Sequence, residues 1–279
     1  MILIADGGST KCDWIVLDTN GEILLKTRTK GLNPAVFEKS IIEERLFENE
    51  DLKSYKSKIR EVYFYGAGCG TKNPSLMLKA IFEDYFSHAI IEVKEDTYAA
   101  TYAVTSEPGI ICILGTGSNS SFFDGKTLHT SIPSLGYILI DEASGNYVGK
   151  KLIRDYYYKK MPEELRLQFA SKYDLSADEI KLNIYKKENP NTYLAHFAEF
   201  MFKSEQNEYF NSVIKKGIKD FFKNRIKPYD NYKEVPVHFV GSIAYLSSDI
   251  INQVAKKYDV KIGSIIRRPI DGLIEYHRK

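Results

Sequence analysis

Cysteine is scarce in this chain of 279 residues, which has three: Cys12, Cys69 and Cys112. None of them forms a CxxC pair or lies near a histidine in the sequence, so the usual signatures of a structural zinc or iron–sulfur site are missing. An odd number of cysteines on or beside predicted strands indicates reduced thiols rather than a disulfide framework. We therefore expect a cytoplasmic protein.

Long apolar runs are missing as well. No segment approaches the roughly 18–20 apolar residues that a membrane-spanning helix needs. The first residues enter a short strand and a glycine loop, so we expect neither a signal peptide nor a membrane partner. Excess charge is also absent, because 39 Lys and Arg nearly balance 37 Asp and Glu. This balance argues against a nucleic-acid partner. With 43% hydrophobic residues, the chain can form two ordinary globular domains.

Two segments with the same plan begin near residues 2 and 110. In each, an apolar strand runs into a loop of Gly, Ser and Thr, and a second strand leads to a tight turn and a third. The pairs Asn20-Gly21 and Asp124-Gly125 predict type I′ hairpin turns. Loops of this composition offer backbone N–H groups to phosphate. The duplication indicates two halves that face a cleft and an enzyme that uses a nucleotide.

The order of elements predicts an α/β fold. Three antiparallel strands followed by alternating helices and strands indicate a mixed sheet with helices on its faces. No Pro/Gly/Ser-rich linker separates the halves, and the boundary is placed just before the second copy begins. We expect domains at 1–108 and 109–279, the second with a helical insertion at about 162–232.

Three short segments carry a resemblance to a known family: 6–11 (Asp-Gly-Gly-Ser-Thr-Lys), 115–119 (Gly-Thr-Gly-Ser-Asn) and 240–242 (Val-Gly-Ser). With them the chain resembles the sugar kinase/Hsp70/actin superfamily, and more narrowly the BadF/BadG/BcrA/BcrD ATPase family, which includes N-acetylglucosamine kinases. The resemblance covers nearly the whole chain. It implies two ribonuclease H-like domains, each a mixed five-stranded sheet flanked by helices, around a nucleotide cleft. It also implies ATP and Mg²⁺ as cofactors and a homodimer.

The resemblance assigns the two glycine loops to the ATP phosphates and a later strand–helix turn, Gly241-Ser242, to adenosine. Asp6 is expected near Mg²⁺, through water, which suits a cation that keeps several waters. The predicted phosphate-binding residues are Gly7, Gly8, Ser9, Thr10, Lys11, Gly115, Thr116, Gly117 and Ser118.

Asp96 is the predicted catalytic base. It stands where a strand gives way to a helix, and such a carboxylate can accept the proton of an attacking sugar hydroxyl. Asp is also a common helix N-cap residue, and the neighbouring Glu95 is a rival for the catalytic role.

Sugar contacts are expected, by resemblance, from five residues spread over both halves. Asn33 precedes a proline and is also a routine turn residue. Ile140 and Ala143 stand where kinases of the family have glycine, on either side of an acidic pair. The predicted substrate-binding residues are Asn33, Gly68, Asn119, Gly136 and Asp141.

The sequence therefore predicts an ATP-dependent kinase that phosphorylates a hydroxyl of an amino sugar, with N-acetylglucosamine first and glucosamine as an alternative. A second alternative from the same family is an ATPase that activates acyl-CoA dehydratases, which requires cysteines that hold an iron–sulfur cluster between two subunits. A third is a non-catalytic sugar sensor of the kinase-like repressor type.

Overall fold

The computed structural model describes residues 1–8 and 11–278, and these fold into two compact units. Unit 1 comprises Met1–Ser106 together with the segment that begins at Arg268, and unit 2 comprises Glu107–Arg267. Within the described residues, no helix is both long and apolar enough to cross a membrane.

Unit 1 is built on a five-stranded mixed sheet with the order β3-β2-β1-β4-β5. The first three strands pair antiparallel, whereas β1, β4 and β5 run parallel. The strands are β1 (Ile2–Gly7), β2 (Lys11–Leu17), β3 (Ile23–Lys30), β4 (Glu61–Gly66) and β5 (Ile90–Glu95). The helices are α1 (Lys39–Phe47), α2 (Glu50–Tyr55), α3 (Lys72–Tyr85), α4 (Asp96–Tyr102) and α13 (Pro269–His277).

Alternation along β1 divides the core of unit 1 into two layers. Leu3 and Ala5 point to one face of the sheet and Ile4 to the other, as the two-residue period of a strand requires. The first face packs on α1, α2 and α3, and the single tryptophan, Trp14, is fully buried there. Helices on both faces of a mixed sheet are the layered architecture predicted for each half.

Unit 2 repeats the same sheet. Its order is β10-β9-β6-β7-β8, with β6 antiparallel to β7 and parallel to β9, so each strand has a counterpart in unit 1. The strands are β6 (Gly109–Leu114), β7 (Ser118–Phe123), β8 (Leu128–His129), β9 (Val237–Val240) and β10 (Ile262–Ile266). Two mixed five-stranded sheets flanked by helices confirm the predicted α/β fold class.

The helices of unit 2 are more numerous than those of unit 1. Helix α5 follows the second glycine loop, five further helices and a π-helical turn, Phe222–Ile226, lead to β9, and α11 and α12 precede β10. They are α5 (Gly145–Tyr157), α6 (Glu163–Lys172), α7 (Ala177–Tyr185), α8 (Pro190–His196), α9 (Ala198–Lys203), α10 (Glu208–Phe221), α11 (Ser242–Leu246) and α12 (Ser248–Tyr258).

The division of the chain differs from the expected domains at its end. Helix α13 belongs to unit 1, not to the second domain of 109–279. Its residues Ile270, Leu273 and Ile274 form one apolar face and pack on Ile4 of β1. A methyl group added to Gly272 would lie 2.4 Å from the carbonyl oxygen of Ala103, just after α4, so the contact with that segment is close.

Both predicted hairpins form, but the turn type was wrong. A type I′ turn needs positive φ at two consecutive residues, and Asn20 and Asp124 are not among the described residues with positive φ. Only the glycines are left-handed, with φ of 79° at Gly21 and 96° at Gly125. In the first hairpin a register irregularity beside Leu17 accommodates the extra residue, which is the behaviour of a β-bulge.

Candidate active site

The turn from β1 to β2 holds the first predicted phosphate loop. Gly7 ends β1, and the N–H of Gly8 donates to the carbonyl oxygen of Lys11 at 2.8 Å. A methyl group on Gly7 would lie 2.4 Å from Cζ of Phe64, so glycine is the residue that lets strand and ring approach. The predicted phosphate-binding residues Ser9 and Thr10 lie outside the described residues.

Lys11 begins β2 with an exposed side chain. Its Nζ lies 3.4 Å from Oδ2 of Asp13, and the same carboxylate accepts a hydrogen bond from Nε of Arg28 at 2.6 Å. These partners, with burial opposing them, hold the pKa of Asp13 below its usual range. The strands that follow this turn therefore carry two cations, Lys11 on β2 and Arg28 on β3, both paired with Asp13.

Strand register brings the predicted metal and catalytic carboxylates to one edge of the unit 1 sheet. In the parallel part of the sheet, Gly7 pairs with Gly66 of β4, and Gly66 pairs with Glu95 of β5. Asp6 precedes this row and Asp96 follows it. The two carboxylates thus flank the end of β4, and the charge of Asp96 contributes to the raised pKa of Asp6.

Both carboxyl groups resist ionisation. Burial raises the pKa of Asp6 to about 7, and repulsion from Asp96 and Asp13 adds to the effect. Burial raises the pKa of Asp96 to about 6, with a further contribution from Glu95. The charge of an ionised Asp96 opposes ionisation of Asp6, so the two groups titrate as an interacting pair. Perturbed carboxylates of this kind cluster at functional sites.

The local structure of Asp96 differs from that of an N-cap. Glu95 occupies the cap position with extended backbone and no capping hydrogen bond from its side chain, and Asp96 is the first residue of α4. The Asp96 carboxylate accepts hydrogen bonds from the N–H of Thr97 and from its own N–H, which oppose part of the rise in its pKa. The hydroxyl of Thr97 donates to Glu95 Oε2 at 3.2 Å, so Thr97 holds both neighbouring acids, one through its backbone N–H and the other through its side chain.

Asn33 and Gly68, two predicted substrate residues, touch one another in unit 1. Gly68 has φ of 83°, and a methyl group there would lie 1.9 Å from Oδ1 of Asn33. That oxygen accepts the N–H of Ala35 at 2.9 Å. The same loop reaches the carboxylate edge, since a methyl group on Gly70 would lie 2.8 Å from Oε1 of Glu95. Strand β4 thus leads into a loop that joins Asn33 to the edge of Asp6 and Asp96.

In unit 2 the second phosphate loop joins β6 to β7 and lies against the start of α5. The N–H groups of Gly145 and Asn146 donate to the carbonyl oxygens of Gly115 and Thr116 at 2.8 and 3.0 Å. These bonds use N–H groups that a helix start otherwise leaves without partners. They also place the positive end of the helix dipole under the loop, which favours a bound anion.

Asp141 fixes the loop from the other side. Its carboxylate accepts the N–H of Ser118 at 3.2 Å and Nδ2 of Asn146 at 2.9 Å, and it is 5% exposed. A methyl group on Gly117 would lie 2.9 Å from Oδ2 of Asp141. The predicted sugar ligand thus connects the phosphate loop with α5, and each of its oxygens has a lone pair left for a further donor.

Of the two positions where the family has glycine, Ala143 has φ of 60°, in the left-handed region that favours glycine, whereas Ile140 is not among the described residues with positive φ. Asp141, which lies between them, has φ of 82°. Gly136, a predicted substrate residue, also has φ of 79° and lies in the segment that leads to Asp141. Its carbonyl oxygen accepts the N–H groups of Leu139 and Ile140, which closes a turn.

Asn119 lies on β7, directly after the loop, and is half-buried. Its Oδ1 accepts the N–H of Ser120 at 2.9 Å and Nη2 of Arg225 at 3.3 Å. The predicted amide is therefore held in place by two donors.

A cavity of about 450 Å³ opens beside the second phosphate loop in unit 2. Gly115, Thr116 and Ser242 line it, as do Gly145 and Leu246. Gly241, the other predicted adenosine residue, has φ of 124° and sits so close to β6 that a methyl group would lie 2.2 Å from the carbonyl oxygen of Leu114. Of the residues predicted to bind phosphate and adenosine in unit 2, Gly115, Thr116 and Ser242 therefore line one cavity.

The structure resembles known sugar kinases along its whole length. A Porphyromonas gingivalis protein described as a "putative N-acetylglucosamine kinase" is 37% identical with a TM-score of 0.93, over 100% of this chain and 99% of that one. The chain belongs to this sugar-kinase family. No protein-family model and no curated protein matches the chain.

Two further structures show how widely the fold of this kinase family extends. A Chromobacterium violaceum protein with the same description has a TM-score of 0.71 at 14% identity, over 99% of this chain and 98% of that one. A ROK family glucokinase from Streptomyces griseus, solved with glucose and AMPPNP, has a TM-score of 0.59 at 14% identity, over 99% and 97%. At such identity these two show the fold alone.

Several residues that line the cavity of this kinase were missed by the sequence analysis. Ala195, Ala198 and Phe202 follow one another at helical spacing on α8 and α9, and Lys203 and Arg267 also contribute to the lining. The sequence carried little signal for them, because Ala198 and Phe202 also pack in the core of unit 2 and follow the pattern of ordinary core residues.

Proposed function

We propose that the protein transfers the γ-phosphoryl group of ATP to a hydroxyl group of an amino sugar, with N-acetylglucosamine as the first candidate. The observation that carries the proposal is Asp96, a half-buried carboxyl group directly after a parallel strand, with its pKa raised to about 6. Support also comes from the full-length similarity to the Porphyromonas gingivalis protein. Within the superfamily we assign the chain to the BadF/BadG/BcrA/BcrD group, on the motifs given above.

In this proposal Asp96 removes the proton of the attacking sugar hydroxyl. A pKa of about 6 leaves the group ionised at neutral pH and makes it a stronger base than an exposed carboxylate. Hydrogen bonds from the first turn of α4 fix its direction. A positioned base of this kind contributes about 10²–10⁴ in rate, and the rest of phosphoryl transfer is positioning and charge stabilisation.

The phosphates of ATP would be held by the two glycine loops, and its adenosine would occupy the cavity beside Gly241 and Ser242. In unit 2 the loop lies against the start of α5, whose helix dipole favours an anion there. The size of the cavity suits a nucleoside, because ligand pockets commonly have volumes of about 300–1,000 Å³. Asn33 and Gly68 from unit 1 and Asn119, Gly136 and Asp141 from unit 2 would contact the sugar.

Mg²⁺ fits the carboxylates at the edge of the unit 1 sheet. Burial together with repulsion from Asp96 and Asp13 raises the pKa of Asp6, and the cations Lys11 and Arg268 offset only part of this rise, which is a charge arrangement that a divalent ion relieves. Magnesium is commonly held by one or two carboxylates, with water and phosphate oxygens as its other ligands. We assign Asp6 to it, through water; the ion, when bound, neutralises charge on the phosphates.

The test is ADP release by the purified protein with Mg²⁺-ATP and a panel of N-acetylglucosamine, glucosamine, N-acetylmannosamine and glucose. We expect turnover on an amino sugar, and Asp96→Asn should lower kcat by about 10²–10⁴ while the KM for ATP changes little. Glu95→Gln is the matched control, because it neutralises the adjacent acid and should keep most of the activity. ATP hydrolysis at a rate that no sugar changes would refute the proposal. If Glu95→Gln lost activity and Asp96→Asn kept it, the base would be Glu95 and the assignment of Asp96 would be wrong.

The dehydratase-activator alternative gains no support from the cysteines. Cys12 and Cys112 are fully buried and Cys69 is 7% exposed, and burial raises the pKa of the Cys69 thiol to about 12. A cluster held between subunits needs thiolates at the surface. The homodimer that the resemblance implies is tested separately, by light scattering of the purified protein.

A further inference from the structure

Arg225 is a buried cation without a carboxylate partner. It lies on the π-helical turn between α10 and β9 and is 1% exposed. No ion pair within the described part of the chain includes it; its Nη1 donates to the carbonyl oxygens of Ile132 and Pro133 at 3.3 and 3.4 Å. Its Nε is buried with no hydrogen-bond partner among the described residues. An uncompensated buried charge is costly for stability, so its position calls for another explanation.

Among the described residues, the side chain to which that of Arg225 donates a hydrogen bond is Asn119, through Nη2 and Oδ1 at 3.3 Å. The backbone N–H of Ser120 donates to the same oxygen at 2.9 Å. A guanidinium group and a backbone N–H can only donate, so both must face the oxygen of the amide. The Nδ2 group is consequently the end of Asn119 left to meet a ligand, and it can only donate.

The backbone of Arg225 is tied to the same strand. Ser120 Oγ donates to the carbonyl oxygen of Arg225 at 2.7 Å, and the hydroxyl of Tyr229 donates to the carbonyl oxygen of Ser120 at 2.9 Å. The π-helical turn and β7 are therefore fixed to one another on both sides of the amide. π-Helical turns of this kind are frequent at functional sites.

We propose that Arg225 is a positioning and specificity-determining residue: it fixes the Asn119 amide as a donor and places a positive charge behind it. Resting on the proposed function, this arrangement favours a neutral hydrogen-bond acceptor on the sugar, such as an acetamido carbonyl or a hydroxyl oxygen. It disfavours an ammonium group, which has no lone pair to offer and is repelled by the guanidinium group. The N-acetylated amino sugar is thus preferred over the free amine.

The experiment compares kcat/KM for N-acetylglucosamine and for glucosamine, at a pH where the glucosamine amine is protonated, in the wild type and three variants. Asn119→Asp keeps the size of the side chain and satisfies both donors, but replaces the outward donor by a negative acceptor. We expect the preference for the acetylated sugar to fall about tenfold or more, with the KM for ATP little changed. Arg225→Met should lower the same ratio, whereas Arg225→Lys should retain more of it because the charge remains.

Tyr229→Phe is the control, since it removes a buried hydroxyl from the same network without touching the amide and should leave the ratio unchanged. Because Arg225 variants can fail to fold, Asn119→Asp is the decisive variant. Its stability in chemical unfolding should be at least that of the wild type, because the new carboxylate supplies the missing counter-charge for Arg225. An unchanged ratio together with lower stability in Asn119→Asp would overturn the inference. A wild type that phosphorylates no amino sugar would instead overturn the proposed function, so the two failures are distinguishable.

Discussion

Replacing Asp6 by Asn should stabilise unit 1 at alkaline pH. The pKa of Asp6 is raised from 3.8 to about 7, so between these values the folded protein binds a proton that the unfolded chain has lost. Stability therefore falls as the pH rises through this window, and the penalty is complete above pH 7. Three pKa units correspond to about 4 kcal/mol, and since the amide must also leave water, we expect a gain of about 2–4 kcal/mol for Asp6→Asn at pH 8.

The assay is urea unfolding of the nucleotide-free protein at pH 8 and at pH 4, followed by the fluorescence of Trp14. This residue is the single tryptophan of the chain and is buried in unit 1, where Ala5, next to Asp6, pairs with it across β1 and β2. The signal therefore reports on the unit that carries the substitution. At pH 4 the gain should be nearly gone, because both folded and unfolded wild-type chains then hold much of the proton.

Asp84→Asn is the matched control, an exposed aspartate on α3 that should change stability little at either pH. The electrostatic account of the Asp6 and Asp96 edge would be refuted by a stability difference for Asp6→Asn that does not depend on pH. It would equally be refuted by a loss of stability at pH 8. A gain in stability for Asp6→Asn at pH 8 would mean that the ionised Asp6 destabilises the folded protein and is not there for folding.

Two further predictions concern the close packing around α5 and its cavity. Gly149→Ala should destabilise the protein by about 1–3 kcal/mol in thermal unfolding, because the added methyl group would lie 1.8 Å from the backbone carbonyl oxygen of Leu194. Gly115→Ala is the control and should leave the stability unchanged, because its methyl group meets open space. Ala195→Phe should raise the KM for ATP and leave the KM for the sugar unchanged in steady-state kinetics, because the phenyl ring fills the cavity. Ala177→Phe, on the exposed start of α7, is the control. Equal effects of the two substitutions on the KM for ATP would contradict the assignment of the cavity to the nucleotide.

The sequence was sufficient for the repeated sheet and for the shared sheet edge at which Asp6 and Asp96 lie. Apolar alternation and the glycine pairs after β2 and β7 are local signals, and the same strand order in the two units follows from repeating them. The carboxyl ends of parallel strands share an edge, so the places of Asp6 and Asp96 followed once β1 and β5 were recognised. Local rules did not decide the turn type, because Asn20 can keep negative φ when a bulge takes up the extra residue.

The remaining features depend on contacts between distant parts of the chain. The face of α13 would suit either sheet, and only packing on Ile4 decides which one it covers. From the sequence, Arg225 is predicted to be an ordinary surface cation in a Lys-rich segment. Its proposed role depends on a hydrogen bond to Asn119, more than a hundred positions earlier. Neither spacing nor composition encodes such a contact.

The return of α13 to unit 1 inverts the usual order in which a growing polypeptide acquires structure. Domains generally complete themselves from the N-terminus during synthesis. Here the residues of unit 2 have all left the ribosome while Ile4 still lacks its cover from Ile270, Leu273 and Ile274. Unit 1 is the first unit to be synthesised and the last to be completed. Until residue 277 has emerged from the ribosome, the sheet face that carries Ile4 lacks α13 and is the apolar surface that a chaperone would bind.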